Sequence, residues 1–426
     1  MENKKSKIFY GWFVVLGCII ITTTMVPPIM SLSNKFLIQV TTDMNISRGS
    51  FTLANTILQG LDIIISPMVA KKLAGGNMKK IQSISIIGFV LAYASYALAQ
   101  SPIHLYISAF FVGIFYLNST LIPVSMMVTN WFVKKRGLAM SLAMAGIGLG
   151  GTIFSPIVTM LLTNYGWRLT YVIMAGIILV CALPTSLLIL RKSPADMGLE
   201  PYGAGESVAS TSANKVEKGV KISVKESKGK LFFWVMIAGM VANGLINSGA
   251  LGQFPPALEE LHGVATQAAI ISMYSSIGIF GKILLGWVND KFGIVISCTF
   301  GCVMFGLAFV FMLLGQNVNM LYAMAVVFGL GNAIGTVVPP LVTAEIFGNE
   351  KYGEAYGMVN SATQVGLSLG SLMVASLYDL NGSYTTAWII LLGLTVVTLV
   401  GWLGSYALSK KFCGNKAERA SEIKVG

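Results

Sequence analysis

The chain has 426 residues, 55% of them hydrophobic and only 11% charged, against about 25% charged for an ordinary soluble domain. That balance excludes a soluble globular protein and predicts an integral membrane protein. The formal net charge of +12 is no nucleic-acid footprint either, because of where along the chain the charges fall.

A hydrocarbon core about 30 Å thick needs ~20 apolar residues per helix. Segments of that kind run in chain order at 9–32, 50–70, 82–99, 103–128, 138–162, 170–190, 231–254, 265–288, 293–314, 320–343, 354–377 and 385–408. The fold predicted is all-α and integral to the membrane, with twelve transmembrane helices in two pseudo-symmetric bundles. The first segment follows Lys4, Lys5 and Lys7 and lacks a small-residue cleavage site, so it reads as a transmembrane helix rather than a removable signal. One long hydrophilic interruption, rich in Ser, Gly, Lys and Glu and too polar to bury a core, splits the spans six and six. The organisation expected is an N-terminal six-helix bundle at 1–190, a cytoplasmic linker at 191–230, a C-terminal six-helix bundle at 231–409 and a cytoplasmic tail at 410–426.

With the N-terminus placed in the cytoplasm, 25 of the 29 Lys and Arg residues fall on cytoplasmic segments, and only Lys35, Arg48 and Arg168 on the opposite loops. This is the positive-inside asymmetry, and it predicts a multi-pass protein of the cell membrane, plasma or bacterial inner, with both termini cytoplasmic.

The halves repeat: Gly137, Ala139 and Gly150 match Gly353, Ala355 and Gly366 at identical offsets. Parallel repeats of this kind can rock about a site between them near the midplane. Glycines at 146, 148, 150 and 151, and at 329, 331 and 335, allow close helix approach, either to slide or simply to pack. Pro27-Pro28, Pro123, Pro255-Pro256 and Pro339-Pro340 place bends in the first, fourth, seventh and tenth segments.

Lys282 is the single charged residue between Ile270 and Val288. A cation at membrane depth costs at least ~2.5 kcal/mol and persists where it binds something, usually an anion. It also lies eight residues before Asp290, ~12 Å along a helix, so its stem could instead snorkel to the surface. Asp62 is the other ionisable group at depth, read either as a proton carrier or as a structural carboxyl bonded to a neighbouring helix. Asn118, Asn243, Asn247, Asn332 and Tyr116 are candidates for a cavity wall, with Tyr274 two turns from Lys282, although each could bond between helices instead. The five cysteines and two histidines form neither a disulfide framework nor a metal spacing. No P-loop and no nucleophile–base constellation is present, so neither ATP, a cofactor, a metal nor an enzymatic activity is expected.

After the eighth segment comes Gly286-Trp287-Val288-Asn289-Asp290-Lys291-Phe292-Gly293. Together with the twelve spans and the six-six split, this G-x-x-x-D-K-x-G loop resembles the major facilitator superfamily over the whole chain. The resemblance assigns Asp290, with Gly286 and Lys291, to a gate holding cytoplasmic helix ends together in the outward-open state. The matching loop of the first half departs from the pattern, with Pro67 and Lys71 where glycine and aspartate are usual. Asn130-Trp131-Phe132-Val133-Lys134-Lys135-Arg136-Gly137-Leu138-Ala139 is similar to the W-F-x-x-K-R-G-x-A string of the monocarboxylate porters and the oxalate/formate antiporter group. Phe347-Gly348 with Tyr352-Gly353 and Tyr356-Gly357, and Arg191 through Gly198-Leu199-Glu200-Pro201, resemble further strings of that group.

In that group a basic residue stands four positions before the loop glycine, as Lys282 does before Gly286, and the resemblance implies a carboxylate-binding role for it. Departures are Lys282 itself where arginine is usual, Gly278 where an acid stands in animal members, Leu121 in place of a tyrosine, and Thr363 beside Gln364 in place of a second lysine. The function implied is secondary active transport of small organic anions of the monocarboxylate type, by alternating access, with proton symport or anion exchange as the drive. Substrate contacts are expected from Lys282, Tyr274, Asn118, Asn247, Asn332 and Gln364, and proton coupling from Asp62. The partners are then a small carboxylate, the bilayer and, in symport, protons; no nucleic acid is expected, and a monomer is. The alternatives are an exporter of larger amphipathic anions or drugs and a non-transporting membrane sensor.

Overall fold

The structure, a computed structural model, describes residues 9–204 and 224–425, without the side chains of 48, 49, 264 and 414–425. Lys4, Lys5, Lys7 and the linker residues 205–223 lie outside the described residues, as do the side chains of the last basic residues. Among the described residues the chain is helical apart from an isolated bridge between Phe132 and Tyr202. Among the described residues nine helices are long and apolar enough to cross a membrane. Three of them, Arg136–Ile189, Ala265–Leu313 and Val318–Asn381, contain a glycine with positive φ and extended ψ, at Gly166, Gly293 and Gly348. Dividing them there gives twelve segments.

These segments are α1 (Gly11–Met30), α2 (Arg48–Gly75), α3 (Met78–Leu98), α4 (Pro102–Trp131), α5 (136–165), α6 (167–189), α7 (Leu231–Gly263), α8 (265–292), α9 (294–313), α10 (318–347), α11 (349–381) and α12 (Thr385–Val425). At the dividing glycines nothing lies within 4 Å of a Cβ position, so the reversal there depends on backbone freedom that only glycine has without strain. The last helix runs well past 408, so much of the expected tail is helical.

Of the first, fourth, seventh and tenth helices, whose prolines the sequence singles out, three are interrupted near those prolines. α1 bends at Val26, α4 breaks at Thr120 (φ −110°, ψ −112°), and α10 opens into a 3₁₀ turn at Asn332–Gly335 ahead of Pro339. Proline removes a donor to the preceding turn, and the breaks fall in that turn. The fourth, α7, stays helical through Pro255 and Pro256.

Glycines set the crossings as the repeat implies. A Cβ on Gly150 would lie 2.0 Å from the Thr23 carbonyl of α1, and one on Gly366 would lie 2.1 Å from the Val241 carbonyl of α7. The matched glycines thus seat α5 on α1 and α11 on α7. The other matched pair works between the halves: Gly137 of α5 faces Gly286 of α8, and Gly353 of α11 faces Met126 and Ala74 of the first half. Both crossings lie at the same end of the molecule, termed here the closed end.

Between α1 and α2 a 3₁₀ turn, Ser33–Phe36, and a helix, Leu37–Asp43, fold across the opposite end. They are fixed by Phe36 stacked on Tyr171 and by Gln39 donating to the Leu162 carbonyl at 3.0 Å.

Candidate substrate cavity and its closed end

A cavity of about 310 Å³ lies between the halves, walled by α1, α4, α5, α7, α8, α10 and α11. Its polar lining is Ser31, Asn243, Asn247, Lys282, Asn332, Thr336, Asn360, Thr363 and Gln364; Met30, Leu121, Met144, Ile147, Leu251 and Leu367 give apolar surface. The break in α10 delivers two of these groups, since Asn332 begins the 3₁₀ turn and Thr336 ends it. Unwound backbone inside a membrane bundle is tolerated where it borders a cavity. Close packing holds the break, because a Cβ on Gly335 would meet Asn247 Oδ1 at 2.4 Å. Asn247 is itself fixed, its Nδ2 donating to Asn243 O at 2.8 Å and Oδ1 at 3.0 Å.

Lys282 is buried, 9% exposed, and reaches the cavity. Among the described residues its Nζ makes one hydrogen bond, to the Met144 carbonyl of α5 at 3.5 Å, the outer limit of such a bond. An ammonium group has three protons to donate. No carboxylate is within ion-pair range of it among the described residues, so most of its donor capacity is open to the cavity.

Asp62 of α2 is 3% exposed and does not itself line the cavity. Its Oδ2 accepts a hydrogen bond from Gln364 of α11, which does line it, while Oδ1 has no partner. The carboxyl therefore sits behind the cavity wall, joined to it through one amide and across the divide between the halves. Next to this pair Asn360 Nδ2 donates to Ser66 Oγ at 2.8 Å.

Two residues expected at the substrate are placed elsewhere. Asn118 is buried in α4 with its Nδ2 turned back to the Ile114 carbonyl at 2.8 Å, outside the cavity lining. Tyr274 packs edge-on against Phe328 of α10, ring centroids 5.0 Å apart, and is also outside it. Hydropathy does not give rotation about a helix axis, and here that decides the matter. Asn360 and Thr336 were missed; Asn360 is four residues before Gln364 in an apolar helix, a spacing that puts both on one face.

The closed end is made by helix termini. The Asp290 carboxylate accepts the N–H groups of Gly137 at 2.7 Å and Leu138 at 2.8 Å, the first turn of α5. Anions are favoured at a helix N-terminus, where unpaired N–H groups and the helix dipole converge. Arg136, one residue earlier, donates from Nη2 to Asn349 Oδ1 at 2.7 Å at the start of α11. Lys291 does not pair with Asp290; its ammonium lies over the rings of Trp287 and Phe292, 4.9 and 5.2 Å from the centroids. In the first half Lys71, which stands where Asp290 stands in the second, is exposed, and Ala70 packs under Gly357.

The sequence model of the Major Facilitator Superfamily matches residues 8–315 and 236–421, almost the entire chain. The chain belongs to that superfamily. Among relatives, Monocarboxylate transporter 12 of Rattus norvegicus is 23% identical over 405 residues, covering 89% of this chain and 82% of its own. Monocarboxylate transporter 4 of Gallus gallus is 24% identical over 422 residues, covering 94% and 84%. Among solved structures, the transporter FucP in its outward conformation superposes with a TM-score of 0.69 at 14% identity, over 92% of this chain and 98% of that one. The human organic anion transporter MFSD10 gives 0.64 at 14% identity, over 94% and 100%. These structural likenesses establish the superfamily's helical fold. The named relatives and neighbours are transporters rather than enzymes, and the chain is a multi-pass membrane transporter of the superfamily.

Proposed function

We propose that this superfamily member carries small organic anions of the monocarboxylate type across the cell membrane by alternating access. The observation that carries the reading is Lys282, a buried ammonium on the cavity wall whose only described hydrogen bond is a long one. A substrate carboxylate supplies the charge it lacks, and the amides of Asn247, Asn332 and Gln364 hydrogen-bond the rest of the molecule. A cavity of about 310 Å³ is at the small end of ligand sites, which favours small anions over large amphipathic ones. The names of the relatives, monocarboxylate transporters 12 and 4, agree with this class.

In this reading the bundles 1–190 and 231–409 rock about the cavity, with 191–230 as their cytoplasmic connection and both termini cytoplasmic. The closed end is then cytoplasmic, and the conformation is outward-facing. Asp290 on the α5 N-terminus, with Gly286 at the crossing, acts as the cytoplasmic gate. Asp62 takes the coupling proton and Gln364 links it to the substrate site. The working unit is a monomer.

The test is uptake of labelled small monocarboxylates into proteoliposomes under imposed pH or anion gradients. Lys282→Gln is expected to lose uptake by at least tenfold while keeping the melting temperature of the wild type. Undiminished uptake in Lys282→Gln overturns the anion-site assignment. Dependence on the pH gradient or on an internal anion separates symport from exchange.

A further inference from the structure

The string that follows α6 is unused by transport, yet it is tightly built. Trp131 Nε1 donates to the Arg191 carbonyl at 2.9 Å and Asn130 Nδ2 to the Lys192 carbonyl at 3.1 Å. Ser193 and Asp196 then close a capping box over the 3₁₀ turn Pro194–Met197. Tyr202 ends the strap, its N–H donating to the Trp131 carbonyl at 2.9 Å and its carbonyl accepting from Val133 N at 3.1 Å and Lys134 N at 3.0 Å. Composition alone marks 191–230 as coreless linker, but residues 191–204 are folded onto the α4–α5 loop. The side chains that pin residues 191 and 192 belong to the Trp131 motif, so the two family-like strings form one unit.

What this unit holds in place is a pair of cations. Arg191, Lys192 and Lys79, with Asp196 and the α2–α3 turn at 76–78, line a cavity of about 420 Å³ that shares no residue with the central one. The three cations are half-buried. Lys192 Nζ donates to the carbonyls of Ala74 at 2.5 Å and Gly76 at 3.4 Å, and Arg191 Nη1 to that of Leu190 at 2.9 Å. The one acid, Asp196, accepts from Ser193 N at 3.0 Å and Ser193 Oγ at 3.1 Å. Among the described residues no carboxylate forms an ion pair with Lys79, Arg191 or Lys192. The amino end of α3 borders the same space at Met78 and Lys79 and adds its dipole to the positive field.

We propose that this cavity is a second anion site, binding a phosphate group. A guanidinium fork with two ammonium groups is the donor set that suits phosphate oxygens. Its position at the ends of membrane helices exposes it both to the headgroup of an anionic phospholipid in the adjoining leaflet and to soluble phosphate.

Thermal unfolding of the purified full chain in detergent distinguishes the two sources. One arm adds phosphatidic acid against phosphatidylcholine in mixed micelles; the other adds inorganic phosphate. The wild type is expected to gain several degrees in one arm, with a gain that shrinks as salt rises. The gain is lost in the triple variant Lys79→Gln, Arg191→Gln, Lys192→Gln and kept in Lys71→Gln, Lys72→Gln. Should the triple variant fail to fold, Lys79→Glu, which removes no side-chain hydrogen bond among the described residues, is expected to abolish the gain by itself. No gain in either arm, or an equal gain in Lys79→Glu, overturns the proposal. Substrate uptake is not read, so the result is independent of the transport assignment.

Discussion

The carboxylate of Asp290 sits 2.7 Å from the backbone N–H of Gly137, so one half of the protein caps a helix of the other. Gly137 can accept that contact only without a side chain, since a Cβ there would lie 2.8 Å from Asp290 Oδ1 and 2.4 Å from the Gly286 carbonyl. Charge and absence of bulk work together at this crossing.

Asp290→Asn keeps the shape and removes the charge. A carboxylate at a partly exposed helix N-terminus is worth ~1 kcal/mol, so the closed end should open about fivefold more often. The reporter is the alkylation rate of a cysteine at Ser141, which is fully buried at this crossing, in a background free of the native cysteines. The rate should rise by that factor in Asp290→Asn, and an unchanged rate removes Asp290 from the gate.

Gly286→Ala should be far more damaging than its chemistry suggests. Its Cβ would meet the Gly137 carbonyl oxygen at 2.4 Å and carbon at 2.7 Å, backbone atoms that cannot swing aside, so α5 and α8 must part. Overpacking of this kind costs ~1–3 kcal/mol. Gly148→Ala is the control, since its Cβ would meet only the Ile279 side chain, at 3.3 Å. Lower melting temperature and slower uptake are expected for Gly286→Ala alone; equal melting temperatures for the two variants contradict the packing argument.

What the sequence made legible were properties that single residues carry with them. Lys282 is conspicuous because a charge at depth has an intrinsic cost, and Gly137 and Gly353 because their offsets repeat. Asp290 stands in a string whose resemblance to the superfamily's loop implies a place at a helix end. Relations between distant segments were not legible: Arg136 meets Asn349 across 213 positions, and nothing local in either residue announces the other. Asn118 and Tyr274 lie off the cavity, which the sequence did not show because apolar spans reveal little of which buried face meets it. The strap 191–204 escaped composition since its partners are largely backbone groups of Trp131, Val133 and Lys134.

At the end opposite the closed one, acid should weaken the contact that holds the Leu37–Asp43 helix. Hydrogen bonds from the Arg168 guanidinium and the Trp167 ring hold the Asp43 carboxyl below its ordinary value. A depressed carboxyl contributes stability that is present above the unfolded value, ~3.9, and is lost as pH falls through the lower folded one. Wild type should therefore lose melting temperature below about pH 4, and Asp43→Asn should lose less over the same range. Parallel pH curves for the two proteins contradict this.

Asp62 and Gln364 give the sharpest test of coupling, because their hydrogen bond joins α2 to α11 and, in the proposed rocking of the bundles, breaks when the halves separate at the closed end. A carboxyl whose partner leaves in one state and returns in the other has different proton affinity in the two, which is what coupling requires. Asp62→Asn retains a hydrogen-bonding amide next to Gln364 but cannot carry a proton. Accumulation of substrate against its gradient, driven by an imposed pH difference, should fall to the equilibrium level in Asp62→Asn. Exchange of labelled for unlabelled substrate at equal pH should persist within a few-fold, because Lys282 and the cavity amides are untouched. Gln364→Leu should impair both, since it strips an amide from the cavity wall and leaves Asp62 without its one described partner. Accumulation that survives unchanged in Asp62→Asn makes the carboxyl a structural tie between the halves, and the coupling proton must then be sought elsewhere.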